Sequence, residues 1–355
     1  MILRMVLTLV ADAKDDLALE VARVAVQVGP RWFNVATITL AGVILGILAI
    51  ATIVGRYLGQ NPSPTINPAM VQRFVLRVRA WWLMWAMLVF GLLLHRLGTV
   101  FLFFVLSFWA LREFITMTPT RRGDHHALFL SLMVFTPLQY LLIGLGSTGK
   151  EGYDYYGLYS IMIPVYASLF IPARIAFSGD HKRFLERSAQ IQAGLLVCVY
   201  SLSYAPALLY LNLTQNGKAW EGSPAGLMFY FVLITQLSEV LQWSWGQLAG
   251  RHVIASEISG SRTWEGLIGG SLSTGVVGAM LAWATPFSLW QSALMSIVVA
   301  MMGFAGGMTM SAIKRDRGVK DYGSLVLGHA GVLDRIDTLC FAAPVFYHLT
   351  RFFFT

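Results

Sequence analysis

Ten apolar segments of about 20 residues follow one another along the 355-residue chain. A helix needs about 20 predominantly apolar residues to cross the hydrocarbon core of a bilayer. Charged residues make up only 12% of the sequence, against about a quarter in a soluble domain. The sequence therefore predicts an all-α, polytopic integral membrane bundle of about ten transmembrane helices. We expect the spans at about residues 34–55, 78–95, 97–117, 126–145, 156–177, 189–211, 224–249, 265–285, 289–313 and 332–354.

The chain divides into three parts. In residues 1–33, charged residues interrupt an apolar stretch, which is typical of an amphipathic helix on the membrane surface. A cleaved signal peptide is the alternative, because Ala11-Asp12-Ala13 resembles a cleavage site. Residues 34–223 are predicted to form the N-terminal transmembrane helices. Residues 224–355 are predicted to form a C-terminal transmembrane region with cytoplasmic loops.

The distribution of basic residues predicts the orientation. If all ten segments cross, the loops after the odd-numbered spans hold 18 of the 26 Lys and Arg residues, and the other side holds 8. Because cytoplasmic loops are enriched in Lys and Arg, we expect the first set to be cytoplasmic and both termini to lie outside. Only Leu97 separates the third span from His95-Arg96, so a miscount there would reverse the N-terminus. The net charge of +8 is explained by topology without a nucleic-acid partner.

Two features of the C-terminal third indicate chemistry. Glu239 lies deep within a predicted span, where a carboxylate is costly and marks either a functional site or a buried packing partner. Asp334 and Asp337 are three residues apart at the start of the last span, so they share one helical face. Two such carboxylates can hold Mg²⁺, and nearby cations can neutralise phosphates. An ordinary basic loop before a helix with an acidic first turn is the alternative.

A glycine-rich segment lies between the seventh and eighth predicted spans. Its residues Ser259, Arg262 and Thr263 offer donors for a phosphate chain, although the segment matches neither a P-loop nor a dinucleotide fingerprint. The loops at 250–264 and 314–331 are separated by two spans. They should therefore emerge together on the cytoplasmic side.

The segment from Ser311 to Asp337 resembles the C-terminal signature of phosphatidate cytidylyltransferases, also called CDP-diglyceride synthases. That pattern is a Ser, a Lys-Arg pair, a Lys-Asp pair, His-Gly-Gly and Asp-Arg-x-Asp. The run from Ser259 to Gly266 is similar to the family's Ser-Pro-Lys-Lys-Thr-Trp-Glu-Gly, and the resemblance covers about residues 224–345. The signature positions here are Ser311, Lys314, Arg315, Lys320, Asp321, His329, Asp334, Arg335 and Asp337.

This sequence departs from the family pattern at several positions. Ala330 follows His329, Gly260-Ser261-Arg262 replaces Pro-Lys-Lys, and Glu239 stands where many members have Asp. Many members also carry a metal-centre Asp four residues before the signature Ser, where this chain has Gly307. Either Glu239, Asp321 or Asp334 then carries more of the metal binding, or this is a divergent branch with altered activity or substrate.

The resemblance implies transfer of a cytidylyl group from CTP to phosphatidic acid, with Mg²⁺ as cofactor and room for a second, monovalent cation. It places the enzyme in a bacterial inner membrane with a cytoplasmic active site, and it is compatible with a homodimer. The implied catalytic residues are Asp334, Asp321, Lys320, Lys314 and Arg315. The implied substrate-binding residues are Ser259, Arg262, Thr263, Glu265, Ser311, His329 and Arg335. The implied metal ligands are Asp334 above all, then Asp321, Asp337 and Glu239.

Two other classes of function stay open from the sequence. Gly- and Pro-interrupted spans and an intramembrane Glu239 would also suit a transporter, although the charges concentrate in one loop and at one helix end. Gly307 makes a non-catalytic or altered-substrate relative the second alternative.

Overall fold

Helices occupy all ten predicted positions in the computed structural model. It describes residues 32–60, 68–118, 120–146, 155–215, 217–319, 322 and 331–355. The surface-segment prediction for residues 1–33 falls almost wholly outside this part of the chain. The helices are α1 (Val35–Gln60), α2 (Pro68–Leu93), α3 (His95–Met117), α4 (Arg122–Leu145), α5 (Tyr156–Ala176), α6 (Phe184–Tyr210), α7 (Pro224–Ala249), α8 (Trp264–Met280), α9 (Leu289–Asp316) and α10 (Leu333–Phe354).

Eight of these ten helices are long and apolar enough to cross a membrane, within the residues that the structure describes. The exceptions are α8, which has 17 residues, and α10, which has 22 residues and begins with the charged signature segment. The prediction of an all-α polytopic membrane protein is confirmed. A π-helical stretch interrupts each of the helices α4, α5 and α6, at Ser131–Phe135, Met162–Ala167 and Leu195–Ser201.

The third predicted span is a separate helix. One helix ends at Leu93 and the next begins at His95, where φ is positive at 60°. Helix α3 then folds back along α2. The two helices pack closely, since a Cβ added at Gly91 would lie 2.8 Å from the Leu102 side chain. The absence of a side chain at Gly91 therefore lets the two helices approach closely.

Two antiparallel strand pairs lie in loops between helices. Strands β1 (Thr214–Gln215) and β2 (Lys218–Ala219) precede α7. Strands β3 (Val253–Ala255) and β4 (Ser259–Thr263) form a hairpin between α7 and α8. The predicted glycine-rich phosphate loop is thus a structured hairpin with fixed side-chain directions.

Helices α7, α8, α9 and α10 pack in sequence order, and glycines set their spacing. A Cβ at Gly270 of α8 would lie 2.5 Å from the Gln242 Cα of α7, and a Cβ at Gly306 of α9 would lie 2.9 Å from the Asp337 carbonyl oxygen of α10. Small residues at such interfaces allow close backbone approach in membranes. The close packing brings the ends of α7, α9 and α10 to one place.

A buried ion-pair network joins the loops of the N-terminal half. Arg187 contacts Asp124 at 3.0 Å and Asp180 at 3.3 Å, and the side chains of Arg187 and Asp124 are 3% and 0% exposed. Arg121 donates to Asp180 at 2.6 Å, and this hydrogen bond holds the pKa of the Asp180 carboxyl below its ordinary value. Arg121 and Arg187, which we counted in the prediction of orientation, therefore also join these loops to each other.

Candidate functional site

The β3–β4 hairpin and the end of α9 meet at one end of the bundle. Arg315 of α9 donates from Nε to the Ile258 carbonyl oxygen at 3.3 Å. The neighbouring residue of α9, Lys314, donates from Nζ to Asp334 Oδ1 of α10 at 2.8 Å. The structure thus brings the two loop regions together, as expected from their separation by two spans.

Arg262 points from the hairpin into the helix bundle. Its guanidinium lies 5.0 Å from the centre of the Phe304 ring, within the range of a cation–π contact. A Cβ at Gly307 would lie 2.6 Å from Arg262 Nη2. The guanidinium therefore occupies the space that a larger side chain at position 307 would take.

Asp334 is the centre of a hydrogen-bond network that fixes the start of α10. Its Oδ1 accepts from Lys314, and its Oδ2 accepts from the backbone N–H groups of Tyr322 at 2.8 Å and Gly331 at 3.0 Å. Tyr322 is fixed in turn because its hydroxyl donates to the Met310 carbonyl oxygen at 3.0 Å. These hydrogen bonds join α9, α10 and the intervening loop, and the prediction that Asp334 is the leading metal ligand stays a prediction.

Asp337 and Glu239 form a second acidic pair nearby. The charges of these two carboxylates act on each other, and Arg262 and Lys314 also act on Asp337. The Arg335 guanidinium lies in the field of Glu239, Asp334 and Asp337. Asp337 Oδ1 accepts one backbone hydrogen bond, from the N–H of Thr338 at 2.7 Å. Three carboxylates (Glu239, Asp334 and Asp337) and three cations (Arg262, Lys314 and Arg335) therefore act on one another in this part of the bundle.

The other predicted binding residues mainly position the hairpin and α9. Thr263 caps α8, because its Oγ1 accepts from the Gly266 N–H at 3.1 Å. Glu265 Oε2 accepts from the backbone N–H groups of Arg251 and His252, both at 3.2 Å. The Ser311 hydroxyl donates to the Gly307 carbonyl oxygen at 2.6 Å.

Ser259 lies on β4 with its hydroxyl 3.4 Å from that of Ser261. It stays a candidate for contact with a ligand. Lys320, Asp321 and His329 lie outside the described residues, so the predictions for these three stay predictions.

Glu113 is a buried acidic residue that sequence reasoning missed. It lies on α3 and is 6% exposed. Its two carboxylate oxygens accept from the Val332 N–H at 3.0 Å and the Leu333 N–H at 2.9 Å. N–H groups at the start of a helix have no acceptor within the helix itself, and Glu113 supplies one for each of these two. A carboxylate there also interacts favourably with the helix dipole. The sequence offered one signal for Glu113, which was its place inside the predicted span 97–117.

The profile of the cytidylyltransferase family matches residues 75–353. This match covers most of the chain, including all the segments that form the site. The chain belongs to the cytidylyltransferase family. The enzyme class expected from the signature is confirmed at the level of the family.

Proteins similar to this cytidylyltransferase include an uncharacterised protein and proteins named phosphatidate cytidylyltransferase. The uncharacterised protein YnbB of Escherichia coli K12 is 33% identical over 318 residues, which cover 87% of this chain and 96% of YnbB. A phosphatidate cytidylyltransferase of Staphylococcus saprophyticus is 27% identical over 73% of this chain and 93% of its own length. One from Synechocystis sp. PCC 6803 is 35% identical over 39% of this chain and 50% of its own length. The similarity to YnbB supports the prediction of a divergent member.

The carboxylates of the described site bear on the predicted Mg²⁺ cofactor. No group of three or more His, Cys, Asp or Glu side chains is placed to hold a metal within the part of the chain that the structure describes. Glu239 and Asp337 nevertheless supply two carboxylates, and Mg²⁺ is commonly held by one or two carboxylates together with substrate phosphates. These two carboxylates therefore fit a Mg²⁺ ion that substrate phosphates also hold, and the Mg²⁺ cofactor stays a prediction.

Proposed function

We propose that this cytidylyltransferase makes CDP-diacylglycerol and pyrophosphate from phosphatidic acid and CTP, at the cytoplasmic face of a bacterial inner membrane. Relatives named phosphatidate cytidylyltransferase support the substrates. The observation that carries the proposal is the placement of cations beside carboxylates along α9. Arg262 lies against Gly307, the Asp337 backbone lies against the neighbouring Gly306, and Lys314 contacts Asp334 at 2.8 Å. Two polyanionic substrates can approach each other only where fixed cations offset their repulsion.

The bond changes are those of a nucleotidyl transfer. A phosphate oxygen of phosphatidic acid forms a bond to the α-phosphorus of CTP. The bond from that phosphorus to the bridging oxygen breaks, and the electron pair leaves with pyrophosphate. Catalysis of such a step is mostly positioning and electrostatic stabilisation. The attacking phosphate is already anionic near neutral pH, so no strong general base is needed.

The residues of this chain divide the work by position. Arg262 belongs to the β3–β4 hairpin and Arg315 contacts it. We assign the hairpin to the CTP phosphates, with Ser259 and the predicted Lys320 as further donors. Lys314 holds Asp334 in place and adds positive charge. Arg335 lies in the first turn of α10, where the charges of Glu239, Asp334 and Asp337 act on it. In the proposed complex Mg²⁺ would stabilise charge on the leaving pyrophosphate, held by Asp337 and Glu239.

The signature residues outside the described part of the chain complete the proposal. Asp321 is a further candidate metal ligand, and His329 a further substrate contact. A second, monovalent cation and a homodimer stay predictions.

Substitution of Arg315 tests the nucleotide assignment. Its side chain is exposed and makes one hydrogen bond to the hairpin, so Arg315→Ala should leave the fold intact. A lost charged phosphate contact costs about 1.5–3 kcal/mol, which is roughly ten- to over a hundredfold in kcat/KM for CTP. Lys182→Ala, an exposed cation in another loop, is the matched control. Equal activity of the two variants would contradict the assignment.

A specific observation also favours the altered-substrate alternative. The Arg262 guanidinium stands against Gly307, where the family pattern has Asp, so the charge of this site differs from that pattern. Comparing phosphatidic acid with other lipid phosphomonoesters in the same assay separates the two proposals. A preference of more than tenfold for another lipid would favour the alternative.

A further inference from the structure

Arg96 lies at the end of the bundle opposite to the candidate functional site. It belongs to the first turn of α3, and the other end of this helix carries Glu113, which contacts the start of α10. A rise of about 1.5 Å per residue places Arg96 and Glu113 roughly 25 Å apart along the helix. A ligand bound by Arg96 is therefore separate from the substrates of the candidate functional site.

Two aromatic rings hold the Arg96 guanidinium. Its carbon atom Cζ lies 5.4 Å from the centre of the Tyr210 ring, at the end of α6, and 6.0 Å from the centre of the Trp32 ring, before α1. Both distances are within the range of a cation–π contact. Trp32 is fixed in turn, because its indole N–H donates to the Leu92 carbonyl oxygen at 2.9 Å and its own carbonyl oxygen accepts from the Ser223 hydroxyl. The guanidinium thus has a defined place between the ends of several helices.

This place offers aromatic faces but lacks an acceptor. Within the described part of the chain, the Arg96 guanidinium contacts these two rings and no hydrogen-bond acceptor, although an arginine carries five N–H donors. The Tyr210 hydroxyl is buried and has no hydrogen-bond partner among the same residues. Buried polar atoms are almost always hydrogen-bonded. A ligand that satisfies both groups must therefore bring acceptor oxygens and negative charge.

The surface next to Arg96 is apolar. Leu93 at the end of α2 and Leu97 and Phe101 of α3 are 60%, 64% and 65% exposed. Leu97 and Phe101 are four residues apart, so they lie on one face of the helix. In a membrane this face borders lipid chains, and the start of α3 lies near the headgroups. An anion with an apolar tail therefore fits this surface better than a free anion does.

We propose that Arg96 and Tyr210 bind the phosphate of an anionic phospholipid, in the leaflet opposite to the candidate functional site. The two free oxygens of the phosphodiester accept from the guanidinium in a bidentate arrangement, and one of them also accepts from the Tyr210 hydroxyl. The acyl chains lie along Leu97 and Phe101. This lipid is a bound ligand and not a substrate, and the inference does not depend on the proposed function.

Photo-crosslinking without CTP tests the site. The full chain is placed in phosphatidylcholine nanodiscs with a small amount of phosphatidylglycerol that carries a diazirine near the ester end of one acyl chain. Phosphatidylglycerol has no phosphomonoester, so it cannot act as the attacking phosphate of the proposed reaction. We expect adducts to concentrate around Leu93, Leu97 and Phe101.

Competition identifies the ligand. Unlabelled phosphatidylglycerol should reduce these adducts, whereas additional phosphatidylcholine and millimolar inorganic phosphate should not. Adducts spread evenly over the lipid-facing helices, or equal competition by phosphatidylcholine, would overturn the proposal. Competition by inorganic phosphate would identify a site for a soluble anion and would overturn the assignment to a lipid.

Two variants and one control assign the binding to named groups. Arg96→Gln should raise the phosphatidylglycerol concentration for half-maximal labelling about ten- to a hundredfold, the effect of a lost charged hydrogen bond. Tyr210→Phe keeps the ring and should raise it about two- to tenfold. Lys218→Gln removes an exposed cation of β2 at the same end of the bundle and should match the wild type.

The variants also separate a specific site from general surface charge. An equal loss of labelling in Lys218→Gln and Arg96→Gln would show that only the overall charge of this end matters, which contradicts the proposal. Tyr210→Phe removes a single oxygen atom without changing the packing, so it decides the question even when Arg96→Gln fails to fold. Labelling of Tyr210→Phe identical to that of the wild type would refute the proposed phosphate contact.

Discussion

Replacing Gly307 by alanine tests how the Arg262 guanidinium is held. The added Cβ would lie 2.6 Å from Arg262 Nη2, and the next two atoms of the guanidinium are 3.4 and 3.7 Å away. The atom in conflict is the far end of a flexible side chain. The fold can therefore accept the methyl group, but the guanidinium must move.

The structure gives the size of this movement. Restoring ordinary contact, at 3.4 Å or more, requires a shift of roughly 0.8 Å from the present 2.6 Å. A misplacement of about 1 Å can cost about a hundredfold in rate when a group is positioned for catalysis. We expect Gly307→Ala to lower kcat/KM for CTP about ten- to a hundredfold, while the thermal midpoint changes by no more than a few degrees.

A double-mutant cycle with Arg262→Ala isolates the cause. The assay measures CTP consumption with phosphatidic acid and Mg²⁺ for the wild type, both single variants and the double variant. If Gly307 acts through Arg262, the double variant is no worse than Arg262→Ala alone. Fully additive losses, or a Gly307→Ala variant within twofold of the wild type, would refute this reasoning.

Three further predictions concern other parts of the site. Asp337→Asn should raise at least tenfold the Mn²⁺ concentration needed for CTP-dependent metal binding, measured by electron paramagnetic resonance. Asp334→Asn should mainly lower the thermal midpoint, and the reverse pattern would identify Asp334 as the leading ligand. Glu113→Gln keeps one strong acceptor for two N–H donors and should cost about 1–3 kcal/mol of stability. A midpoint equal to that of the wild type would exclude the capping role. A Gly260→Cys variant, at an exposed position of β4 with open space, should react with an impermeant thiol reagent only from the cytoplasmic side. Labelling from outside would reverse the proposed topology.

Hydropathy predicted the positions of all ten helices, because each segment carries its own signal. It was less informative about which helices cross. Helix α8 has 17 residues, and the charged start of α10 lowers its average hydropathy. The meeting of the hairpin with α9 also followed from sequence, since two intervening spans return the chain to the same side.

The directions of individual side chains were not predictable from the sequence. Glu113 reaches backbone groups about 220 positions away, and nothing local to residue 113 indicates that partner. From the sequence, Gly307 indicates the loss of the carboxylate that the family pattern has at this position. The fold shows that the Arg262 guanidinium occupies the space beside Gly307. The hydrogen bonds of Asp334 and Asp337 differ because the loop before α10 gives Asp334 two N–H donors.

The central claim is tested most directly by product analysis with the purified full chain in phosphatidylcholine vesicles. Labelled CTP is supplied with and without phosphatidic acid and with and without Mg²⁺, and both products are quantified. We predict equal amounts of CDP-diacylglycerol and pyrophosphate only when lipid, CTP and Mg²⁺ are all present, and about a tenfold or larger loss in Arg262→Ala. Intact CTP under all conditions, with a protein that still binds phosphatidic acid, would contradict the account.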